Sequence, residues 1–419
     1  MKPPPLKDDC FAMPAGVDWT PVDSALAQLR ARLHSVTGAE TLPLAQAGGR
    51  ILAQDVVAAR ANPPYANSAV DGYGFAFETL PEGAVCTLPL ATGRSAAGAP
   101  FDGVLPAGQA LRILTGAALP EGVDTVVLEE DCSVEGDKLA FRAGLKHRAN
   151  TRNAGEDLGA GAGVLAAGHR LRPQDLALLA SVGVAEVSVH QKLRVAVFST
   201  GDEVVDINAG SAGPSQIYDA NRPMLLDLIR TWGFEAIDLG KVADDAELVA
   251  AALDQGAASA DVILTSGGAS AGDEDHVSAV LGAQGNLQNW RIAMKPGRPL
   301  ALALWQGIPV FGLPGNPVAA LVCTLVFARP ALGVLAGAGW SAPQGFELPA
   351  GFHKRKKAGR REYLRARVRD GLVEVFRSEG SGRISGLSWA EGLVELGDGA
   401  QEIDHGDRVM FYPYGAFGV

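Results

Sequence analysis

The chain has few cysteines for its length. Four occur in 419 residues, at Cys10, Cys86, Cys132 and Cys323, with no Cys-x-x-Cys pair. That excludes a disulfide-stapled scaffold and a thiolate zinc site, and fits reduced thiols in a cytoplasm. Positive charge is also short. The 36 Lys and Arg stand against 47 Asp and Glu, a net charge of -11. A general nucleic-acid binder is therefore excluded. Long apolar runs are missing too. The start, "MKPPPLKDDC", has no apolar core for a signal peptide. The most apolar stretch, "VAALVCTLVFA" at 318–328, is cut off by Arg329 and Pro330. It falls short of the ~20 residues a membrane span needs. The expectation is a cytoplasmic protein with no membrane association, no coiled coil and no internal repeat.

Apolar residues make up 47% of the chain, enough for real cores, and the length implies roughly two to four domains. Thr20 and Pro21 read as the capped start of a helix with its apolar stripe on Val22, Leu26, Leu29, Leu33 and Val36, stopping at Gly38. Residues 63–149 hold short apolar runs broken by Gly and Pro, the pattern of a β-rich module. "RPQDLALLASVG" reads as a short helix with Pro173 in its first turn and Gly183 as its stop. From Leu193 strands and helices alternate, from "LRVAVFSTGDE" to "VAALVCTLVFARPAL". That order predicts a doubly wound, mostly parallel α/β domain over 191–340. Residues 341–419 return to short strands and Gly turns, as in a small β barrel or sandwich.

Ligands of open parallel sheets sit beyond the carboxyl ends of the strands. Three such ends carry unusual sequences: "STGDE" with Asp202 and Glu203, "TSGGASAGDED", and "LPGNP". In the second, Ser266, Gly267, Gly268 and Ser270 suit a phosphate or another oxyanion held by backbone amides. Asp273, Glu274 and Asp275 follow at once, and would repel that anion unless a cation lay between; Mg²⁺ is the natural choice. A helix start alone also favours Asp273 and Glu274. "RIAMKPGRP" adds Arg291, Lys295 and Arg298. The run "HKRKKAGRREYLRARVR", with nine Lys and Arg between 354 and 369, reads as solvated strands and a loop. His276 and His405 are isolated, with no ligand role.

Taken in order, these stretches resemble the MoeA family of molybdopterin molybdenumtransferases, which also includes the E domain of gephyrin. "NSAVDGYGF", "ILTGAALPEGVDTVV", "NTRNAGED", "STGDE", "IYDANRPML", "SGGASAGDED", "MKPGRP", "LPGNPVAA" and "GRREYLRARV" stand in the family's order. The resemblance implies an elongated, four-part subunit. Residues 1–62 and 150–190 would form a mixed N-terminal domain, 63–149 an inserted β module, 191–340 a MogA-like molybdopterin-binding domain and 341–419 a C-terminal β barrel. It also implies a homodimer with the active site shared between subunits. The implied reaction places molybdenum from molybdate on adenylylated molybdopterin, with Mg²⁺-dependent release of AMP. Carried over, Asp71, Thr115 and Asp157 line the cleft from the N-terminal half. Glu203, Asp244, Asp275, Arg291, Lys295, Arg298, Pro314 and Pro317 line it from the α/β domain. Asp71, Asp157, Asp244 and Asp275 would be catalytic, with Glu203, Asp244 and Asp275 on the metal. The molybdopterin adenylyltransferase and apo-molybdoenzymes are the implied contacts.

Two rival readings are adenylyl transfer to molybdopterin and a non-catalytic, gephyrin-like scaffold. The first usually carries Gly-Gly-Thr-Gly, where this chain has Gly268-Ala269-Ser270-Ala271, and needs only one α/β domain. The second has no use for the full set of acids.

Overall fold

The computed structural model describes residues 19–268, 276–297 and 299–419. The chain divides into two compact units, one of 19–40, 49–53 and 189–419, the other of 41–48 and 54–188. The first unit is built on a six-stranded sheet. Its strands are β1 (Arg194–Thr200), β2 (Glu235–Val242), β3 (Val262–Ser266), β4 (Asn286–Arg291), β5 (Pro299–Trp305) and β6 (Ile308–Leu313), in spatial order β2-β1-β3-β6-β5-β4. The pairings β2-β1, β1-β3 and β3-β6 are parallel, while β6-β5 and β5-β4 are antiparallel. The sheet is therefore mixed. "NLQNWR", the strand β4, was not among the elements legible in the sequence, because its polar residues show no apolar alternation.

Successive residues of β1 serve opposite layers, as strand geometry requires. Val195 and Val197 pack with Leu225 and Ile229 of helix α2 (Asn221–Thr231), and with Phe327 and Leu332. Ala196 and Phe198 pack with Leu253 of α3 (Ala246–Ser259) and Val280 of α4 (His276–Gln284). Asp245 caps α3 by accepting from the amides of Glu247 and Leu248. Helix Val22–Arg32 buries Val22, Ala25 and Leu29. Pro21 occupies its cap position and no side chain caps it; Thr20 instead pairs its backbone with Arg291 and Ala293. The helix ends at Leu33, well before Gly38, and Val36 is exposed.

The apolar run does not stop at Arg329 and Pro330. Helical structure continues from Pro317 to Leu335, with a π turn over Thr324–Ala328 just before Pro330. A wider turn there accommodates a residue that has no N–H and whose ring crowds the preceding carbonyls. Arg329 is held in place, donating from Nε to the Phe417 carbonyl at 3.1 Å and lying over the Trp232 ring. The segment is long and apolar enough to cross a membrane, but 89% of it is buried inside the protein. It is a core helix.

Residues 341–419 form a sheet whose longest strand is β7 (Arg361–Arg369), paired with β8 (Leu372–Val375) and Gly392–Leu396. The basic run lies on and before β7, and it is not simply solvated. Lys356 and Arg365 are buried. Arg361 donates to both Asp23 oxygens at 2.7 Å, and Arg367 reaches Glu374, its cross-strand neighbour, at 2.9 Å. Folding brings an acid or a carbonyl to Lys354, Lys356, Arg361, Arg365, Arg367 and Arg369, which one-dimensional charge cannot reveal.

The second unit holds another six-stranded sheet, from Gly72–Phe75 to Lys138–Arg142, and the helix Pro173–Ser181. Asp175 folds back on the start of that helix. Its carboxylate accepts from the Arg172 amide at 2.8 Å and from the Arg172 guanidinium, and lies 2.8 Å from His169 Nε2. The guanidinium above all, with His169, holds the carboxyl far below its ordinary range against the opposing effect of burial. A depressed carboxylate stabilises the fold above its unfolded pKa and loses that contribution as pH falls through the folded one. Asp175→Ala is therefore expected to lower the melting temperature at pH 7 by an amount equivalent to about 1 kcal/mol, the usual value of a lost cap. The difference from the parent should shrink on acidification below about pH 4. A deficit that does not change between pH 7 and pH 3 would remove the electrostatic part of this account.

Candidate functional site

The carboxyl ends of β1, β3 and β6 meet at one cavity of about 820 Å³ in the first unit. Each strand ends in a turn that lines it: Thr200, Gly201 and Glu203 after β1, Gly267 and Gly268 after β3, and Pro314 to Pro317 after β6. Asn221, the first residue of α2, ties two of these turns together. Its side-chain amide nitrogen donates to Ser266 Oγ and to the Gly315 carbonyl, both at 2.7 Å. A carbonyl can only accept, so the nitrogen must face it and the amide oxygen points elsewhere. Among the described residues that oxygen is buried and without a partner, as is Thr200 Oγ1. Both residues line the cavity.

A second tier supports Asn221. Arg222 is buried beside it. Its guanidinium reaches Asp219 at 3.1 Å, Asp238 at 2.6 Å, and Asp206. Asp219 also accepts from the Ser199 hydroxyl. The start of α2 is thus pinned at a fixed height above the sheet.

Gly267 has φ +94°, and a Cβ there would lie 2.6 Å from the Thr200 carbonyl oxygen. Its N–H already donates to Leu313, and the Ser266 hydroxyl is buried against Asn221. These two sequence candidates hold the turn in shape. Gly268, also in the lining, follows them.

Acids gather on one side. Asp202 and Asp244 exchange backbone-to-carboxylate hydrogen bonds at 3.2 and 3.1 Å. Burial first, and then the charges of Asp202 and Glu203, push the Asp244 carboxyl above its ordinary range. Glu203 and Asp244 both line the cavity. Among the described residues no cluster of three or more groups is arranged to hold a metal. Two carboxylates nevertheless fit Mg²⁺, which commonly takes one or two and fills its shell with water and phosphate oxygens.

Lys295 and Arg360 also line the cavity, and here the sequence was least informative. Met294 and Lys295 form a short strand parallel to β7, with Lys295 opposite Glu362. Lys295 Nζ donates to Glu379 at 2.6 Å and lies 3.8 Å from Glu362. Gly297 follows with φ +100°, where a Cβ would collide with Cys323 Sγ at 2.5 Å. Arg291 is exposed at the end of β4 and is not part of the cavity lining. Pro314 and Pro317 are, and Pro317 opens the core helix with Asn316 as its cap. Ser270, Asp275 and Arg298 lie outside the described residues. Asn221, Arg360, Glu379 and Ser381 line the cavity without having been singled out as sites from the sequence.

In the second unit Asp71 accepts from both the amide and the hydroxyl of Thr115, each at 2.6 Å. The hydroxyl first, then the amide, lower its pKa. Asp157 accepts from the Asn62 side chain at 3.0 Å. Asp71, Thr115 and Asp157 are all exposed to solvent.

Three family descriptions match the chain in succession: "MoeA N-terminal region (domain I and II)" over residues 20–183, "Probable molybdopterin binding domain" over 196–333, and "MoeA C-terminal region (domain IV)" over 347–414. A molybdopterin molybdenumtransferase of Haemophilus influenzae is 35% identical over 400 residues, 94% of this chain and 98% of that protein. The chain belongs to the MoeA family. Another relative, molybdopterin molybdenumtransferase 2 of Mycobacterium tuberculosis, is 33% identical over 89% of this chain and 94% of its own length. Among solved structures, a MoeA protein of Pyrococcus horikoshii superposes with a TM-score of 0.84 at 26% identity, over 95% of this chain and all of that one. The MoeA regions flanking the α/β sheet are thus present in family order, and the cavity lies within the stretch that holds the second and third of them.

Proposed function

We infer that this protein is a molybdopterin molybdenumtransferase, an enzyme of molybdenum cofactor biosynthesis. The observation that carries the reading is the match over 98% of an enzyme of that name, flanking domains included. A lone adenylyltransferase domain has no need of those flanking regions. Molybdate and adenylylated molybdopterin are the substrates in this reading, and AMP leaves as molybdenum reaches the dithiolene.

The cavity suits such substrates. Its glycine turns admit a phosphoanhydride close to backbone, and its size admits a bulky ligand. Glu203 and Asp244 would hold Mg²⁺, with Asp275 as the further candidate; the ion would neutralise charge on the leaving phosphate. Lys295 supplies positive charge on the far wall, with Arg298 and Arg291 on the same segment as further candidates for an oxyanion. The Pro314–Pro317 turn bounds the space between them. Asp71, Thr115 and Asp157 belong to the same reading through a homodimer in which the N-terminal half of one copy serves the cavity of the other. The four-part division at 62/63, 149/150, 190/191 and 340/341, and a cytoplasmic location, are part of it.

Reconstitution tests the reading. Purified protein, adenylylated molybdopterin, molybdate and Mg²⁺ should release AMP and yield a cofactor that activates an apo-molybdoenzyme. Lys295→Ala should require at least about tenfold more molybdate, the loss expected from one charge-assisted bond. Consumption of ATP and adenylylation of molybdopterin, without metal transfer, would assign the chain to the preceding step. Neither reaction, with tight binding of a peptide partner, would favour the scaffold.

A further inference from the structure

Lys295 does not stand open to an incoming anion. Glu379 Oε2 accepts from its ammonium at 2.6 Å, and the other Glu379 oxygen accepts from Lys354. Glu362 lies 3.1 Å from Lys354 and 3.8 Å from Lys295. Two ammonium groups therefore face two carboxylates, and the cluster as it stands carries no net charge.

The two carboxylates differ. Glu362 sits on β7 and is buried, so it is a fixed counter-charge. Glu379 lies on the irregular segment between β8 and the short helix Ser385–Trp389, with its side chain 46% exposed, and it lines the cavity. The backbone of that segment does not depend on Glu379 for its position. Arg365, itself buried, donates to the carbonyls of Arg383 at 2.5 Å, Ser378 at 2.5 Å and Gly380 at 3.2 Å. Its guanidinium also lies over the Phe376 ring. The Glu379 side chain can leave Lys295 while its main chain stays where Arg365 holds it.

We propose that Glu379 is a built-in stand-in for the anionic substrate, a carboxylate that occupies Lys295 until an incoming oxyanion displaces it. This rests on the reading of Lys295 as an anion-binding group. Two oxygens on a negative, planar group satisfy the same donors that a tetrahedral oxyanion would. Burial alone would raise the Glu379 carboxyl, but Lys295 and Lys354 outweigh it and leave the group below its ordinary range, so it competes as a full charge. A weak monoanion gains little by exchanging with it, whereas a dianion recovers more from the same two lysines. Glu379 thereby sets both the affinity of the empty cavity and its preference for doubly charged oxyanions.

The test uses the full-length protein and molybdate as probe, by equilibrium dialysis at fixed ionic strength, since screening would otherwise blur the comparison. Glu379→Gln keeps the shape and removes the charge. It should bind molybdate about tenfold more tightly, near 1.4 kcal/mol. Lys295→Ala should bind at least about tenfold more weakly. In the double variant the gain from Glu379→Gln should largely vanish, because its beneficiary is gone. Unchanged or weaker binding by Glu379→Gln, where Lys295→Ala does weaken it, overturns the stand-in role and leaves Glu379 as a clamp or a ligand. A fall in melting temperature without any gain in affinity has the same meaning. If Lys295→Ala itself binds molybdate normally, or if no variant binds it, the anion site lies elsewhere and the underlying reading of the cavity fails instead.

Discussion

Gly267→Ala is expected to cut AMP release about a hundredfold or more and to lower the melting temperature of the first unit. The added methyl would lie 2.6 Å from the Thr200 carbonyl oxygen and 2.8 Å from its hydroxyl. The backbone also sits at φ +94°, a region that L side chains avoid. Strain of about 1–3 kcal/mol from the backbone and a similar sum from overpacking both act. The turn does not yield freely, because the Gly267 N–H is bonded to the Leu313 carbonyl at 3.2 Å. The cheapest escape displaces the β3 turn into the cavity. A misplacement of about 1 Å at a reacting centre can cost a hundredfold in rate. Thermal melting and single-turnover AMP release check this together. A variant with parental values in both would mean that the β1 and β3 turns relax freely, and that their close approach has no functional weight.

Arg222→Met is expected to produce the largest loss of stability, about 3–5 kcal/mol, as when one partner is removed from a buried ion cluster. The substitution keeps the stem and removes the group that faces Asp219, Asp238 and Asp206. Asp219, with its side chain only 3% exposed, would keep a hydroxyl partner but no cation. The melting temperature should fall by roughly 5–10 °C. Arg222→Lys should recover less than half of this, since one ammonium cannot fork to three carboxylates. Combining Arg222→Met with Asp219→Asn should recover part of the loss by removing the orphaned charge. If the double variant is as unstable as the sum of the singles, the cluster does not act as a unit. A functional consequence follows from chain connectivity. Asn221 precedes Arg222, so loosening the start of α2 frees the amide that joins Ser266 to Gly315.

Much of the α/β unit was legible because its signals are local. Asp245 before an apolar helix and Gly233 after another are punctuation marks that act within a few residues of themselves. The strands "RVAVFST" and "VILTS" carry the unbroken apolar runs Val195–Phe198 and Val262–Leu264, as strands covered on both faces do. The same local reading failed where a local rule met a tertiary exception. The helix across Pro330 was expected, but not the π turn over Thr324–Ala328 that admits the proline into it. Thr20 ought to cap one, but its backbone is taken by Arg291 and Ala293.

By itself the sequence determined the class of the protein, the order of its parts and the three strand ends at which a ligand could sit. Those properties follow from periodicity, turn chemistry and motif order, each confined to a short window. Only the tertiary structure decided what each charged group faces. Lys295 is 67 positions from Glu362 and 84 from Glu379, yet the pairing of a two-residue strand with β7 puts all three together. Arg222 likewise finds Asp206 in the connection after β1 and Asp238 on β2. Strand pairing joins segments far apart in the chain, and no pattern within one segment names its partner. The basic run that looked like a solvated face is for that reason an ion-paired strand beside the cavity.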